Sequence, residues 1–395
     1  MRYGRLPHRL GSTRGFEGIV EGHRVSLLHD GAQCYPAMLD AIAGARREIL
    51  LEMYWFGSDR TGRRFAEALM AKAREGVRVV VVYDAVGSLE AASAQWDEMR
   101  AAGCTVLEYN PVAPWRRRFR IGVVNNRNHR KMLIVDRRIG FTGGVNIGDP
   151  WAPISEGGGG WRDDMICVEG PAVRRMVEIF RMGVQSIADG TEGVRSVPSG
   201  STMSVPPPPP DAAPRRVQVI ANHYFGERRA IRAAYLDQIR CARRCIYITN
   251  SYFVPDRSIR SALAEAARRG VDVRVIVPGE SDVPAVYYAS RRMYGWLLDR
   301  GIGLHEWQGV VLHSKTVVVD GQWCAVGTYN LDYRSWRFNL EVVVAVEDRH
   351  VAGALEKRFQ EDLERAPPVN LRAYRYRPMS ERFFENFFYL FRKLL

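Results

Sequence analysis

The sequence predicts an α/β protein built twice: two homologous α/β domains, each a mixed, mainly β-sheet flanked by helices, with the active site at the interface between them. Three observations lead there. One short constellation of polar residues occurs in each half of the chain. The hydrophobic segments around it recur in the same order. A proline-rich stretch separates the two copies. A repeat this long indicates duplicated domains rather than a solenoid of short units, and 395 residues suit two domains.

The elements follow in chain order. Residues 1–25 form a basic arm without an apolar core, so this arm is not a secretory signal. The first domain, 26–195, carries ARREILLEMYWF, a helix-like stretch, then KAREGVRVVVVYDAVGS. The second, 215–365, carries CARRCIYITNSYFVPD, a helix-like stretch, then EAARRGVDVRVIVPGESD. Each reads as helix, strand, helix, strand, and then the polar motif. Strands alternating with helices at this spacing imply mixed α/β layers. Between the domains, 196–214 reads SVPSGSTMSVPPPPPDAAP. Its prolines favour an extended segment and its Ser and Gly add flexibility, so it is read as a linker. The loop SEGGGG at 155–160 is read as either a mobile gate or a plain solvent loop. Residues 366–395 form a basic amphipathic C-terminal segment.

The motif itself is H-x-K-x-x-x-x-D. Residues 128–136 read NHRKMLIVD, and 312–320 read LHSKTVVVD. His129, Lys131 and Asp136 therefore correspond to His313, Lys315 and Asp320. A similar tail follows each copy, with Gly143, Gly144 and Asn146 in the first and Gly327, Thr328 and Asn330 in the second. In a strand, residues two apart share a face, so each His would point with its Lys. The runs MLIV and TVVV read as buried strand. Asp320-Gly321 is a tight-turn signal, and Asp136-Arg137 holds the same place with weaker turn chemistry. Each motif Asp is expected at a strand end, anchoring the turn or the lysine. A site assembled from two halves would hold two histidines, two lysines and two amides. Those groups suit phosphoryl chemistry, with a nucleophile, a general acid and a cationic clamp on phosphate oxygens.

These duplicated motifs resemble those of the phospholipase D superfamily. Tyr333-Arg334-Ser335 with Asn339-Leu340-Glu341 is similar to the superfamily's R-S…N-x-E extension, and Trp161-Arg162-Asp163 to the matching W-x-D element. Within the superfamily the likeness is to bacterial cardiolipin synthases, of the shorter type without N-terminal membrane helices. NRNHRK, SYFVPD, RRGVDVRVIVPGESD and NLDYRS carry it, and it spans about 25–365. Thr328 stands where the superfamily often has Ser.

The resemblance implies a transphosphatidylase. A phosphatidyl group would pass from phosphatidylglycerol to a second phospholipid through a covalent phosphohistidine. It implies His129 as nucleophile and His313 as acid/base, although the residues alone leave that order open. Lys131 and Lys315 with Asn146 and Asn330 would hold the phosphoryl oxygens. Asp163, after His129, and Glu341, after His313, are assigned as the carboxylates that orient the imidazoles. The lysines neutralise phosphate charge, so no metal or other cofactor is required. The alternatives are a hydrolytic phospholipase D, a nucleic-acid phosphodiesterase and a non-enzymatic membrane-binding module.

Composition fits a globular enzyme, with 46% hydrophobic and 26% charged residues. No run reaches the roughly 18–20 apolar residues needed to span a bilayer. The six cysteines show no C-x-x-C pair and are read as reduced thiols of a cytoplasmic protein. A net charge of +13 points to an anionic partner. Residues 115–120 (WRRRFR) with Arg127 are read as a basic cluster. The C-terminus favours lipid over nucleic acid. Phe383, Phe384, Phe387, Phe388, Leu390, Phe391, Leu394 and Leu395 make an apolar face flanked by arginines. This reads as an interfacial amphipathic helix on a membrane, or else as a terminal helix docked on the core. The expected partners are anionic phospholipids and the inner membrane surface, with no stable nucleic-acid partner.

Overall fold

The structure is a computed structural model that describes residues 22–112, 125–188, 209, 212–213, 215–222 and 229–394. The proline-rich segment and the WRRRFR cluster fall largely or wholly outside the described residues.

The first half runs β1 (Arg24–His29), α1 (Asp30–Ala43), β2 (Glu48–Met53), α2 (Arg60–Arg74), β3 (Arg78–Asp84), α3 (Ser93–Ala101), β4 (Thr105–Tyr109), β5 (Met132–Val135), β6 (Ile139–Gly143), β7 (Asp164–Glu169) and α4 (Val173–Ala188). The second half runs β8 (Arg216–Asn222), α5 (Ala230–Cys241), β9 (Cys245–Asn250), α6 (Arg257–Arg268), β10 (Asp272–Pro278), α7 (Pro284–Arg291), α8 (Tyr294–Leu298), β11 (Gly303–Trp307), β12 (Lys315–Val319), β13 (Trp323–Gly327), α9 (Tyr333–Arg337), β14 (Glu341–Glu347) and α10 (Arg349–Leu363). Two C-terminal helices follow, α11 (Leu371–Arg375) and α12 (Met379–Leu390).

Each half holds a seven-stranded mixed sheet, and the two orders coincide: β4-β3-β2-β5-β6-β7-β1 and β11-β10-β9-β12-β13-β14-β8. The strands joined through helices are parallel, as β2 with β3, and the hairpin strands are antiparallel, as β5 with β6. The motif strands occupy the middle of their sheets. Leu133, Ile134, Val317 and Val318 are buried on both faces, which accounts for their unbroken apolar runs. Burying each such side chain stabilises the fold by about 1.5–3 kcal/mol.

The caps repeat as well. Asp59 in YWFGSD accepts the Gly62 N–H at the start of α2, and Asp256 in SYFVPD accepts the Ser258 N–H at the start of α6. Three cores result. One lies under the outer helices of the first half and one under those of the second. The third joins the halves, with Phe180 of α4 and Phe359 of α10 between the facing sheets.

The motif turns are the same in both halves. Asp136 and Arg137 take φ of 52° and 58°, and Asp320 and Gly321 take 56° and 62°. Both therefore make the left-handed hairpin turn, although the first lacks a glycine. One expectation is corrected here. Of the H-x-K residues only Lys315 is strand, opening β12: the Asn128–Lys131 stretch precedes β5, and the His313–Ser314 pair precedes β12. The 155–160 loop, read as either a mobile gate or a plain solvent loop, is largely exposed and folded on itself. Gly158, Gly159, Gly160 and Trp161 donate their N–H groups to Pro153, Asp149, Ala152 and Pro150 in turn. A Cβ on Gly158 would meet the Ala152 carbonyl oxygen at 2.2 Å, so glycine permits this folded turn, which sets Trp161 in place.

Candidate active site

The backbone brings the motifs together by two crossed bridges between the halves. Asn128 bridges to Leu340, and Arg162 bridges to Leu312. His129 donates its N–H to Leu340, while Leu340 donates to Arg127. His313 donates to the Arg162 carbonyl, and Arg162 to Val311. Each histidine thus lies beside the segment carrying the other half's carboxylate.

The side chains follow that crossing. His129 Nδ1 lies 3.0 Å from Glu341 Oε1, and His313 Nδ1 lies 2.7 Å from Asp163 Oδ2. Asp163 and Glu341 do contact the histidines, but each serves the opposite half rather than its own. Both carboxylates are fully buried. A buried carboxylate needs several donors, and the two halves supply them differently. Glu341 takes the Thr328 hydroxyl and the Asn339 amide as well as His129. Asp163 takes the Trp151 indole N–H at 2.9 Å and the Asp164 backbone N–H at 2.8 Å. Gly144 occupies the place of Thr328, and a Cβ there would lie 2.0 Å from Asp163 Oδ1. Glycine therefore makes room for the carboxylate in one half, whereas threonine binds it in the other.

The lysines lie behind the histidines. Lys131 Nζ donates to the His129 carbonyl at 2.9 Å and sits 5.1 Å from the Tyr54 ring centroid. Lys315 Nζ donates to the His313 carbonyl and, at 2.8 Å, to the Ser251 hydroxyl. An ammonium carries three protons, so donors remain for an anion. Asn146 accepts from the Trp55 N–H and Asn330 from the Ser251 hydroxyl, leaving their amide N–H groups for the cavity they line.

Asp136 and Asp320 do not join this group. Asp136 accepts the backbone N–H groups of Arg46, Arg47 and Glu48, and Asp320 those of Arg243, Arg244 and Cys245. They anchor the turns at the far ends of β5 and β12, and their place among the catalytic residues is corrected accordingly. Arg127, read with 115–120 as part of a basic cluster, is buried at the cavity wall and donates to Asp84 at 3.3 Å.

The histidines face a cavity of about 500 Å³. Aromatic side chains surround them. Tyr54 packs edge-on to His129 at 5.0 Å; Trp151 and Trp161 approach His313 at 5.2 and 5.8 Å. Tyr54, Trp55 and Tyr252 are site residues that the motif reading missed. The signal was there: Trp55 and Tyr252 hold equivalent places, just past β2 and β9, in the recurring segments YWFGSD and SYFVPD.

Burial dominates the ionisation. It lowers His129 to about 4 against the opposing pull of Glu341, and it lowers His313 well below the usual imidazole range. Burial and the neighbouring Lys315 bring Lys131 down to about 7; burial, against the pull of Asp163, brings Lys315 to about 8. The carboxylates diverge. Burial pushes Asp163 up to about 7, whereas at Glu341 the pull of His129 and Lys131 outweighs burial and holds it below the usual range. Near neutrality Asp163 is therefore poised between its neutral and ionised forms, whereas Glu341 favours the ionised one.

The family described as "Cardiolipin synthase, PLD-like domain" matches residues 38–151 and 235–363, once in each half. The chain belongs to this family. A cardiolipin synthase of Geobacillus thermodenitrificans (strain NG80-2) is 35% identical over 363 residues, covering 92% of this chain and 70% of that protein. Cardiolipin synthase 2 of Bacillus anthracis is 32% identical over 398 residues, covering 99% of this chain and 74% of that protein. Among solved structures, the phosphatidylserine synthase of Haemophilus influenzae Rd KW20 superposes with a TM-score of 0.71, covering 94% of this chain and 95% of that one. At 15% identity it speaks for the fold alone. Both matched segments of the cardiolipin synthase family contain an H-x-K motif, and the duplicated phospholipase D-like fold agrees with the matched family.

Among the described residues no helix is long and apolar enough to cross a membrane. No cluster of His, Cys, Asp or Glu among them is arranged to hold a metal ion.

Proposed function

We propose that the protein makes cardiolipin by moving a phosphatidyl group from one phosphatidylglycerol to a second, at a membrane surface, through a phosphohistidine. The observation that carries this reading is the pair of crossed histidine–carboxylate dyads on one cavity, in a member of the cardiolipin synthase family. The unequal ionisation of the dyads supports His129 as nucleophile and His313 as acid/base.

Neutral His129, held by ionised Glu341 through Nδ1, presents the Nε2 lone pair to phosphorus. As the N–P bond forms, the phosphorus–oxygen bond to the glycerol headgroup breaks. His313 Nε2 gives the departing oxygen its proton, and Asp163 balances the charge change. Glycerol leaves. The hydroxyl of a second phosphatidylglycerol then gives its proton to His313 and attacks phosphorus. The N–P bond breaks, giving cardiolipin and free His129. Lys131, Lys315, Asn146 and Asn330 bind the phosphoryl oxygens as charge builds on them.

The test is a product assay on phosphatidylglycerol vesicles. Cardiolipin and glycerol should form in equal amounts, and His129→Ala and His313→Ala should each lower the rate by at least about 10³-fold. Phosphatidic acid as the sole product would replace the transferase with a hydrolase. Full activity in either variant would overturn the mechanism.

A further inference from the structure

Apart from Ile154, the large exposed apolar side chains of the described residues gather in two places. Val86 and Leu89 lie in the loop after β3; the rest lie on α12, the turn behind it, and Tyr376 before it. Leu89 is 69% exposed, Phe383 63% and Leu390 73%. Both groups meet the same opening, for Val86 and Leu89 line the cavity from the first half and Leu394 lines it from the second.

The α12 lip is held in place by its other face. Phe388 stacks on Tyr288 of α7 at 5.9 Å. Glu385, fully buried, takes Arg377 Nε at 2.8 Å and lies 3.5 Å from Arg291 Nε. Behind the helix, Arg334 donates to the Leu394 carbonyl and to Asn125 of the first half, tying the two sides of the mouth together. The helix thus docks on the protein through one side, the second of its two readings, and leaves Phe383, Phe384 and Phe387 to solvent on the other.

We propose that these two lips form a seat on an anionic lipid bilayer, one lip from each half, with the cavity mouth facing the headgroups between them. The proposal rests on the reading of this site as one that acts on phospholipids. An exposed apolar patch of this kind is an interaction surface. Two observations choose the bilayer over a second copy of the chain. Val86, Leu89 and Leu394 border the opening, so a protein seated on them would close the cavity, whereas a lipid surface would feed it. Exposed Arg372, Arg382 and Lys393 flank the aromatic face, and the whole chain carries +13. Aromatic side chains with basic neighbours suit the boundary between acyl chains and anionic headgroups. Seated this way, a phospholipid need only lower its headgroup to the histidines while its chains stay in the bilayer.

The test is flotation with vesicles of phosphatidylglycerol and phosphatidylcholine, with and without about 1 M salt, where the screening length is about 3 Å. Turnover is measured on the same vesicles and on a short-chain phosphatidylglycerol kept below its micelle concentration. The wild type should remain on vesicles at high salt. A Phe383→Ser/Phe387→Ser variant and a Leu89→Ser variant should each lose about tenfold in bound fraction there. In the phenylalanine variant, vesicle turnover should fall in step while short-chain turnover changes by less than about twofold. Variants that float like the wild type would overturn the seat, as would complete release of the wild type by salt. So would an equal loss of short-chain turnover, or a self-associated protein that the phenylalanine changes render monomeric. If the wild type turns over no phospholipid at all, the reading of the site fails, and flotation still decides the seat.

Discussion

The two histidines occupy matched places in the repeat, yet their carboxylates hold protons differently. Asp163 is pushed up to about 7 by burial, while Glu341, with a threonine hydroxyl and an amide beside it, stays below its ordinary range. The acid in the proposed reaction therefore loses its proton as the pH rises through about 7, and Lys131, lowered to about 7, loses charge over the same interval. Both changes have the same sign. The wild-type rate should fall above about pH 7 with a log–log slope approaching two. In Asp163→Asn the rate at pH 6 should drop by about 10²–10⁴-fold, and the alkaline slope should shrink to one. A pH–rate profile of kcat checks both, and an unchanged slope of two would remove Asp163 from the acid's role. That Asp163 and Glu341 would each contact a histidine was legible from their positions in W-x-D and N-x-E. Their exchange of partners was not, because linear spacing cannot show which half a carboxylate faces.

The strands carrying the motifs were readable from MLIV and TVVV, since a central strand is buried on both faces and leaves an unbroken apolar run. Their ends were only partly so. The motif aspartates were grouped with the catalytic residues because they belong to the same sequence pattern. In the fold each follows a strand in a left-handed turn and gathers three backbone N–H groups from the chain entering β2 or β9, the last of them from the strand's first residue. Asp136→Ala and Asp320→Ala should each cost about 1–3 kcal/mol of stability through those unpaired donors. The rate per folded molecule should fall by less than about tenfold. Urea unfolding and kcat at a temperature where the variants stay folded separate the two effects. A loss of about 10³-fold in kcat with unaltered stability would return these residues to the chemistry.

The halves are joined by more than a linker. Arg162, almost fully buried, donates to Asp362 of the second half at 2.7 Å and pairs with Asp164 at 2.9 Å and Asp30 at 3.5 Å. Its backbone also bridges to the His313 segment, so one residue ties α10 to the acid's loop. Removing the guanidinium leaves three carboxylates without their shared partner. Arg162→Ala should cost about 3–5 kcal/mol, read as a shift in the urea midpoint. A loss below about 1 kcal/mol would mean that apolar packing alone holds the halves together. The shared core around Phe180 and Phe359 sets the same arrangement by burial.

The sequence by itself determined the duplicated α/β architecture, the two motifs and the residue types of the site. Each of these is written in local periodicity or in a pattern repeated along the chain. It also supplied the two readings of the C-terminal helix, because an amphipathic face shows that something is covered without showing by what. Only the tertiary structure decided the crossed carboxylates, the exclusion of Asp136 and Asp320 from the cavity, the pinning of Arg127 on Asp84 and the meeting of α12 with the loop after β3. All four depend on contacts between residues far apart in the chain, and burial in those contacts, rather than residue type, sets the charge each group carries.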